Sequence, residues 1–166
     1  MKRSVFYSFH YEPDNWRTSQ IRNIGLVEGN KVANDNDWEK VKRSGYTAIK
    51  NWIDDQIKGC SCTIVLIGEN TANRPWINYE IYKSWNEGKG IFGIYIHNLK
   101  DSSGHTANKG ENPFDYVKFE DGTKVSKYVK VYNPPDSDDS RLVYFYIAFH
   151  LRSWIEEAIN DRKQQQ

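Results

Sequence analysis

Residues 62–67 and 91–96 read Cys-Thr-Ile-Val-Leu-Ile and Ile-Phe-Gly-Ile-Tyr-Ile, two apolar runs without polar alternation, each bounded by glycine. A strand with one face in water alternates polar and apolar side chains, so an unbroken run of this length predicts a strand covered on both faces. Such strands belong to parallel sheets, whose neighbours must be joined by crossovers, usually helices. The segment between the two runs has that character. Pro75 suits the first position of a helix, Trp76, Glu80, Ile81 and Trp85 follow at helical spacing, and Gly88 closes it. These features restrict the chain to an α/β fold.

The alternation extends in both directions. Val5 to Phe9 is a short apolar run that suits a buried strand, followed by a turn at Tyr11-Glu12-Pro13-Asp14. Asp14 or Asn15 is expected to cap a helix through Trp16, Ser19, Ile21 and Ile24 that ends near Gly25. Residues 25–32 make a second strand at best short, and the Asn/Asp-rich residues 32–37 a loop. In residues 44–58, Tyr46, Ile49, Ile53 and Ile57 recur at helical spacing, and Gly59 stands where a glycine commonly ends a helix. Residues 98–124 are polar and contain Gly104, Gly110, Pro113 and Gly122; connections of that length are usually lids or local insertions. Residues 128–132 suit an edge strand, and Pro134-Pro135 breaks the chain. Residues 138–160 form an amphipathic helix expected to bury Leu142, Tyr146, Phe149, Leu151, Trp154, Ile155 and Ala158, with a frayed tail over 161–166. The order predicts a doubly wound, mostly parallel five-stranded sheet with helices on both faces, one domain over residues 1–160. Ligands of such sheets sit at the carboxyl ends of the strands, which fall at residues 8–10, 68–70 and 96–98.

Composition and motifs remove several functions. A net charge of +1 lacks the basic excess that phosphate backbones demand, so no nucleic-acid partner is expected, and the run Lys40 to Arg43 reads as a solvated helix face. No apolar run approaches the roughly 20 residues that span a bilayer, and Met-Lys-Arg-Ser leads directly into the first strand without a signal-peptide core. Cys60 and Cys62 have no second pair with which to build a zinc site, and read as reduced thiols of a cytoplasmic protein; no metal is expected. Phe9-His10-Tyr11-Glu12-Pro13 after the first strand is neither a dinucleotide fingerprint nor a P-loop. Gly68-Glu69 stands where a receiver domain would carry its acceptor aspartate, and a Gly-x-Ser-x-Gly elbow is missing.

What remains is the helix after the third strand. Trp76 and Glu80 are four residues apart, so they share a face one turn from each other, near the expected crevice. An aromatic neighbour there would shield the carboxylate from water. Alternatively, Glu80 pairs with Lys83 or Lys40 on the surface and Trp76 packs in the core. Spacing leaves both readings open.

Three ordered segments carry a resemblance. They are Val5-Phe6-Tyr7-Ser8-Phe9-His10-Tyr11; then Val65-Leu66-Ile67-Gly68 with Asn73-Arg74-Pro75-Trp76-Ile77-Asn78-Tyr79-Glu80-Ile81; then Gly90-Ile91-Phe92-Gly93-Ile94 with Gly110-Glu111-Asn112-Pro113-Phe114-Asp115. Together, over most of residues 4–118, the chain resembles the TIR-like family, specifically its Thoeris ThsB-type branch of bacterial antiphage proteins. The resemblance implies a flavodoxin-like fold and a Trp-x-x-x-Glu motif whose glutamate, Glu80, is catalytic. It implies NAD as substrate with no separate cofactor, and cleavage of the nicotinamide–ribose bond to give a cyclic ADP-ribose-type signal. It further implies an effector protein reached through that diffusible signal, a phage-derived trigger, and a possible homo-oligomer.

Around Glu80, the exit of the first strand brings Ser8, Phe9 and His10 to the expected pocket, and Phe9 or Tyr11 either stacks on a base or packs. Trp38 lies in a loop where TIR proteins present pocket or assembly residues. Trp76 is expected to support the site rather than react, and His97 either faces the crevice or is structural. Asn78 and Tyr79 are expected on the helix face turned away from Glu80, in surface or interface roles. Arg17 and Arg22 read as structural or ion-paired. The rival to the enzyme is a TIR-like interaction and assembly module in which Glu80 has no chemical role; a sensing domain without turnover is a third reading.

Overall fold

A computed structural model describes residues 2–29 and 45–165. Its centre is the first of the two apolar runs. Strand β3 (Cys62–Ile67) is buried at every position, with β1 (Ser4–Ser8) on one side and β4 (Gly90–Tyr95) on the other. Two short strands, β2 (Glu28–Gly29) and β5 (Val131–Tyr132), form the edges, so the sheet runs β2-β1-β3-β4-β5 with every pairing parallel. This is a flavodoxin-like α/β sheet.

Among the described residues, four helices cover it: α1 (Tyr11–Arg22), α2 (Tyr46–Lys58), α3 (Pro75–Asn86) and α4 (Ser140–Gln164). Alternate residues of β3 point to opposite faces. Cys62, Ile64 and Leu66 pack with Ile21 of α1 and Val143, Ile147, Leu151 and Ile155 of α4. Val65 and Ile67 pack with Ile77 and Ile81 of α3 and with Phe114. Ile53 and Ile57 of α2 meet Phe6 beside that second layer. Each fully buried isoleucine or leucine is worth about 1.5–3 kcal/mol of transfer free energy, so these layers hold the sheet far more firmly than the ion pairs on the rim. Gly90 marks how tightly α4 seats, because a Cβ there would lie 2.8 Å from the Ile159 backbone nitrogen.

Several local expectations need correction. Helix α1 begins at Tyr11, with His10 at its N-cap, rather than at Asp14. Asp14 instead lies in the first turn, buried and paired with Arg17 at 3.1 Å. Gly59 is the α2 C-cap in right-handed geometry (φ −82°), whereas Gly88, after α3, does take the positive φ (+71°) that favours glycine. Leu142 and Phe149 are 60% and 82% exposed, not core. The buried stripe of α4 runs through Val143, Ile147, Leu151, Trp154 and Ile155, the phase that meets the sheet, and Leu142 and Phe149 lie outside it. The helix continues to Gln164, and the Arg162 guanidinium lies 4.0 Å from the Trp85 ring centre while donating to the Trp85 carbonyl at 2.8 Å.

The long segment after β4 is held down rather than free. Arg17 is buried and donates to the Leu99 carbonyl (2.8 Å) and the His105 carbonyl (2.9 Å), while Leu99 and Phe114 are fully buried. Cys60 and Cys62 are buried free thiols. Among the described residues, no helix is long and apolar enough to cross a membrane, and no cluster of three or more His, Cys, Asp or Glu side chains is arranged to hold a metal.

Candidate active site

The parallel register brings two chain segments together at the carboxyl end of the sheet. Ser8, the last residue of β1, pairs with Val65 of β3, so the exits of both strands open side by side. From the first exit the chain turns through Phe9 and His10 directly into α1. From the second it passes to α3, whose first turn holds Arg74 at the N-cap and Pro75 at N1. Proline fits there because its ring presets φ and the missing N–H costs nothing. The starts of two helices therefore flank one cavity of about 260 Å³. That is just below the roughly 300–1,000 Å³ of drug-sized ligand sites, space for one ring and its sugar rather than a whole dinucleotide.

Phe9, His10, Tyr11, Trp76 and Glu80 all line this cavity. Trp76 and Glu80 present the same face of α3, one turn apart, as their spacing requires. The indole is fixed by the Tyr46 ring at 4.8 Å and by an edge-on contact with Tyr79 at 5.9 Å. Phe9 and Tyr11 lie 6.1 Å apart on the facing wall. Glu80 is only 8% exposed, and burial pushes its carboxyl up to about 8, opposed by the hydrogen bond that the Ser8 hydroxyl donates to it. At neutral pH the carboxyl in this cavity is mostly protonated. It does not pair with Lys83, which bonds Glu87 at 2.9 Å.

Of the other residues singled out in the sequence, Ser8 meets Glu80 but not the cavity, being 1% exposed. His97 is not brought to Glu80. It is buried, set edge-on to Tyr95 at 6.0 Å, and burial lowers its pKa. Strand order explains this: β4 lies two strands from β1, on the order of 10 Å across the sheet. Trp38 falls outside the described residues. Tyr79 is half-buried. Its hydroxyl donates to Asp54, and its ring packs in the seam between α2 and α3. Asn78 donates to Asn73 at 3.2 Å. Residues 106–108, which a lid reading would bring to Glu80, border a separate polar hollow beside Asp14 and Arg17.

Five lining residues were not among the candidate site residues of the sequence: Glu12, Ile49 of α2, Arg74, Pro75 and Ile77. Arg74 could have been found, since a residue directly before a proline at N1 stands at the mouth of its helix. His10 beside it is held below the ordinary imidazole range, first by burial and then by the Arg74 charge. The wall thus combines three aromatic side chains, an imidazole held below its ordinary range, a guanidinium, the Glu12 carboxyl and the buried Glu80 carboxyl. Such a wall can enclose a flat cationic ring and place a carboxylate beside the bond attached to it.

Comparison with known proteins shows the family. Residues 6–101 match the family model described as Thoeris protein ThsB, TIR-like domain. A protein of Bacillus cereus (strain MSX-D12), carrying the provisional name cyclic ADP-D-ribose synthase ThsB1, is 38% identical over 136 residues, covering 77% of this chain and 71% of the relative. The matched region contains the end of β1 from Phe6, all of β3 and α3, and the whole described cavity wall. With a family match over more than half its length and a relative at that identity, the chain belongs to the TIR-like family of Thoeris ThsB proteins.

Proposed function

We propose that this chain is an NAD-processing enzyme of bacterial antiphage defence, which breaks the nicotinamide–ribose bond and makes a cyclic ADP-ribose-type signal. The observation that carries the reading is the Glu80 carboxyl, buried at a cavity wall opposite aromatic rings and short of any paired cation among the described residues. NAD enters as substrate, with no resident cofactor or metal assigned. Its nicotinamide ring is cationic, and a positive charge beside Glu80 favours the ionised carboxylate, so the substrate itself draws the proton off this group. When the glycosidic bond breaks, its electron pair leaves with neutral nicotinamide and positive charge passes to the ribose. A fixed carboxylate stabilises that oxocarbenium-like state. Capture of the ribose by a nitrogen of the same molecule's adenine closes the cyclic product, whereas capture by water gives linear ADP-ribose. Trp76 supports the ring-binding wall rather than reacting.

Further parts of the reading are an effector protein activated by the diffusible product, a phage-derived trigger, and assembly into a homo-oligomer. The name of the Bacillus relative supports the product class. The test is chromatography of nicotinamide released from NAD by the purified protein, with and without a phage-derived trigger. Release that disappears in Glu80→Gln, with the fold retained, supports the enzyme. Release or defence that survives in Glu80→Gln favours the rival, an assembly module in which Glu80 does no chemistry.

A further inference from the structure

We infer that Ser8 does not meet the substrate and is instead the positioning residue of this site, its hydroxyl fixing the Glu80 carboxyl at the cavity wall and selecting the form in which that carboxyl meets a ligand. Three observations lead there. Ser8 is 1% exposed and lies behind the cavity lining, so a ligand in the cavity reaches Glu80 first. It is the last residue of β1, locked by its pairing with Val65, so its hydroxyl sits on a rigid element. And its bond to Glu80 joins side chains 72 residues apart, the one hydrogen bond on that carboxyl among the described residues.

The surrounding groups leave this role to Ser8. From the α1 side, His10 and Glu12 line the same cavity; from α2 comes the apolar Ile49; from α3 come Arg74 and Trp76. Lys50, Asp54 and Tyr79 are engaged with one another across the α2–α3 seam, and Lys83 is engaged with Glu87. None of these charges is among the causes of the raised Glu80 pKa, which are burial and, in the opposite direction, the Ser8 bond. A hydroxyl donates more strongly to a carboxylate than to a neutral carboxyl, so the bond favours the ionised form and also restricts the side chain to one rotamer. Without it, burial alone would govern Glu80.

The catalytic consequence rests on the NAD-cleaving reading, but the positioning itself is measurable without turnover. Glutamate labelled with carbon-13 at the carboxyl is incorporated, and the Glu80 resonance is identified by its loss in Glu80→Gln. Removing a hydrogen bond to a charged group should raise the Glu80 titration midpoint in Ser8→Ala by about one pH unit, with Ser8→Thr restoring it. The acidic limb of kcat for nicotinamide release should move upward by the same amount while KM stays put. A midpoint that is unchanged or lowered in Ser8→Ala overturns the inference, as does a rise in KM with kcat intact, which would mean that Ser8 touches the ligand. If Ser8→Ala does not fold, Ser8→Cys, similar in volume but a weak donor, is read by the same resonance. A shifted midpoint in a protein that releases no nicotinamide would leave Ser8 as the positioning residue and remove the enzyme reading instead.

Discussion

Replacing Glu80 by glutamine keeps the shape of the side chain and an acceptor for the Ser8 hydroxyl, and removes only the ionisable proton. Its effect on stability follows from burial. An exposed glutamate in the unfolded chain titrates near the model value of 4.5, whereas in the fold burial raises the group to about 8. Between these values the folded state holds a proton that the unfolded state has lost. Folding is therefore favoured on the acid side and weakens as pH rises through this window. By pH 7 the penalty has built up over two and a half pH units at about 1.4 kcal/mol each, or about 3 kcal/mol, a large share of a marginal stability of about 5–15 kcal/mol. Glu80→Gln escapes it. The two proteins should differ little at pH 5, and the variant should be more stable by about 3 kcal/mol at pH 7. Urea unfolding at half-unit steps from pH 5 to pH 8 measures the gap. A gap that does not widen with pH would show that Glu80 is not held protonated by burial, and the electrostatic account of the site would fall with it. Inactivity together with added stability would mark Glu80 as a group kept for chemistry at the expense of the fold.

Three further outcomes are expected. Arg17→Ala strips the partner from buried Asp14 and the donors from the Leu99 and His105 carbonyls; it should cost about 3–5 kcal/mol and expose residues 98–110 to limited proteolysis before the rest of the chain. Gly90→Ala drives a methyl to 2.8 Å from the Ile159 backbone, so thermal unfolding should show a loss of about 1–3 kcal/mol, and an unchanged melting temperature would mean that α4 seats less closely than described. Arg74→Ala removes the charge that adds to burial in depressing His10, so ring-proton NMR should find the His10 midpoint raised; no movement would place the guanidinium away from the cavity mouth.

The sheet was legible in the sequence because burial on both faces writes itself into a strand without regard to partners. Residues 62–67 and 91–96 could do little else, and Pro75 and Gly88 bracket the helix between them at positions where their own backbone chemistry is favoured. The helix termini were less legible, because His10 caps α1 without any side-chain bond that a motif could announce. The phase of α4 was illegible for a different reason. Its sequence carries aromatic and aliphatic residues on more than one side, so the periodicity admits Leu142 and Phe149 to the core, and only the fit against β3 and β4 excludes them.

The candidate site divides along the same line. Local spacing and helix geometry set Trp76 and Glu80 on one face, and the sequence by itself determined that much, together with the parallel sheet and its strand order along the chain. The tertiary structure decided the rest. It placed the exit of β1 against α3, so that Ser8 rather than a lysine meets Glu80; it buried that carboxyl enough to keep its proton at neutral pH; and it left His97 two strands away. Those are distances between segments far apart in the chain, fixed by sheet order and close packing, and no local pattern of residues encodes them.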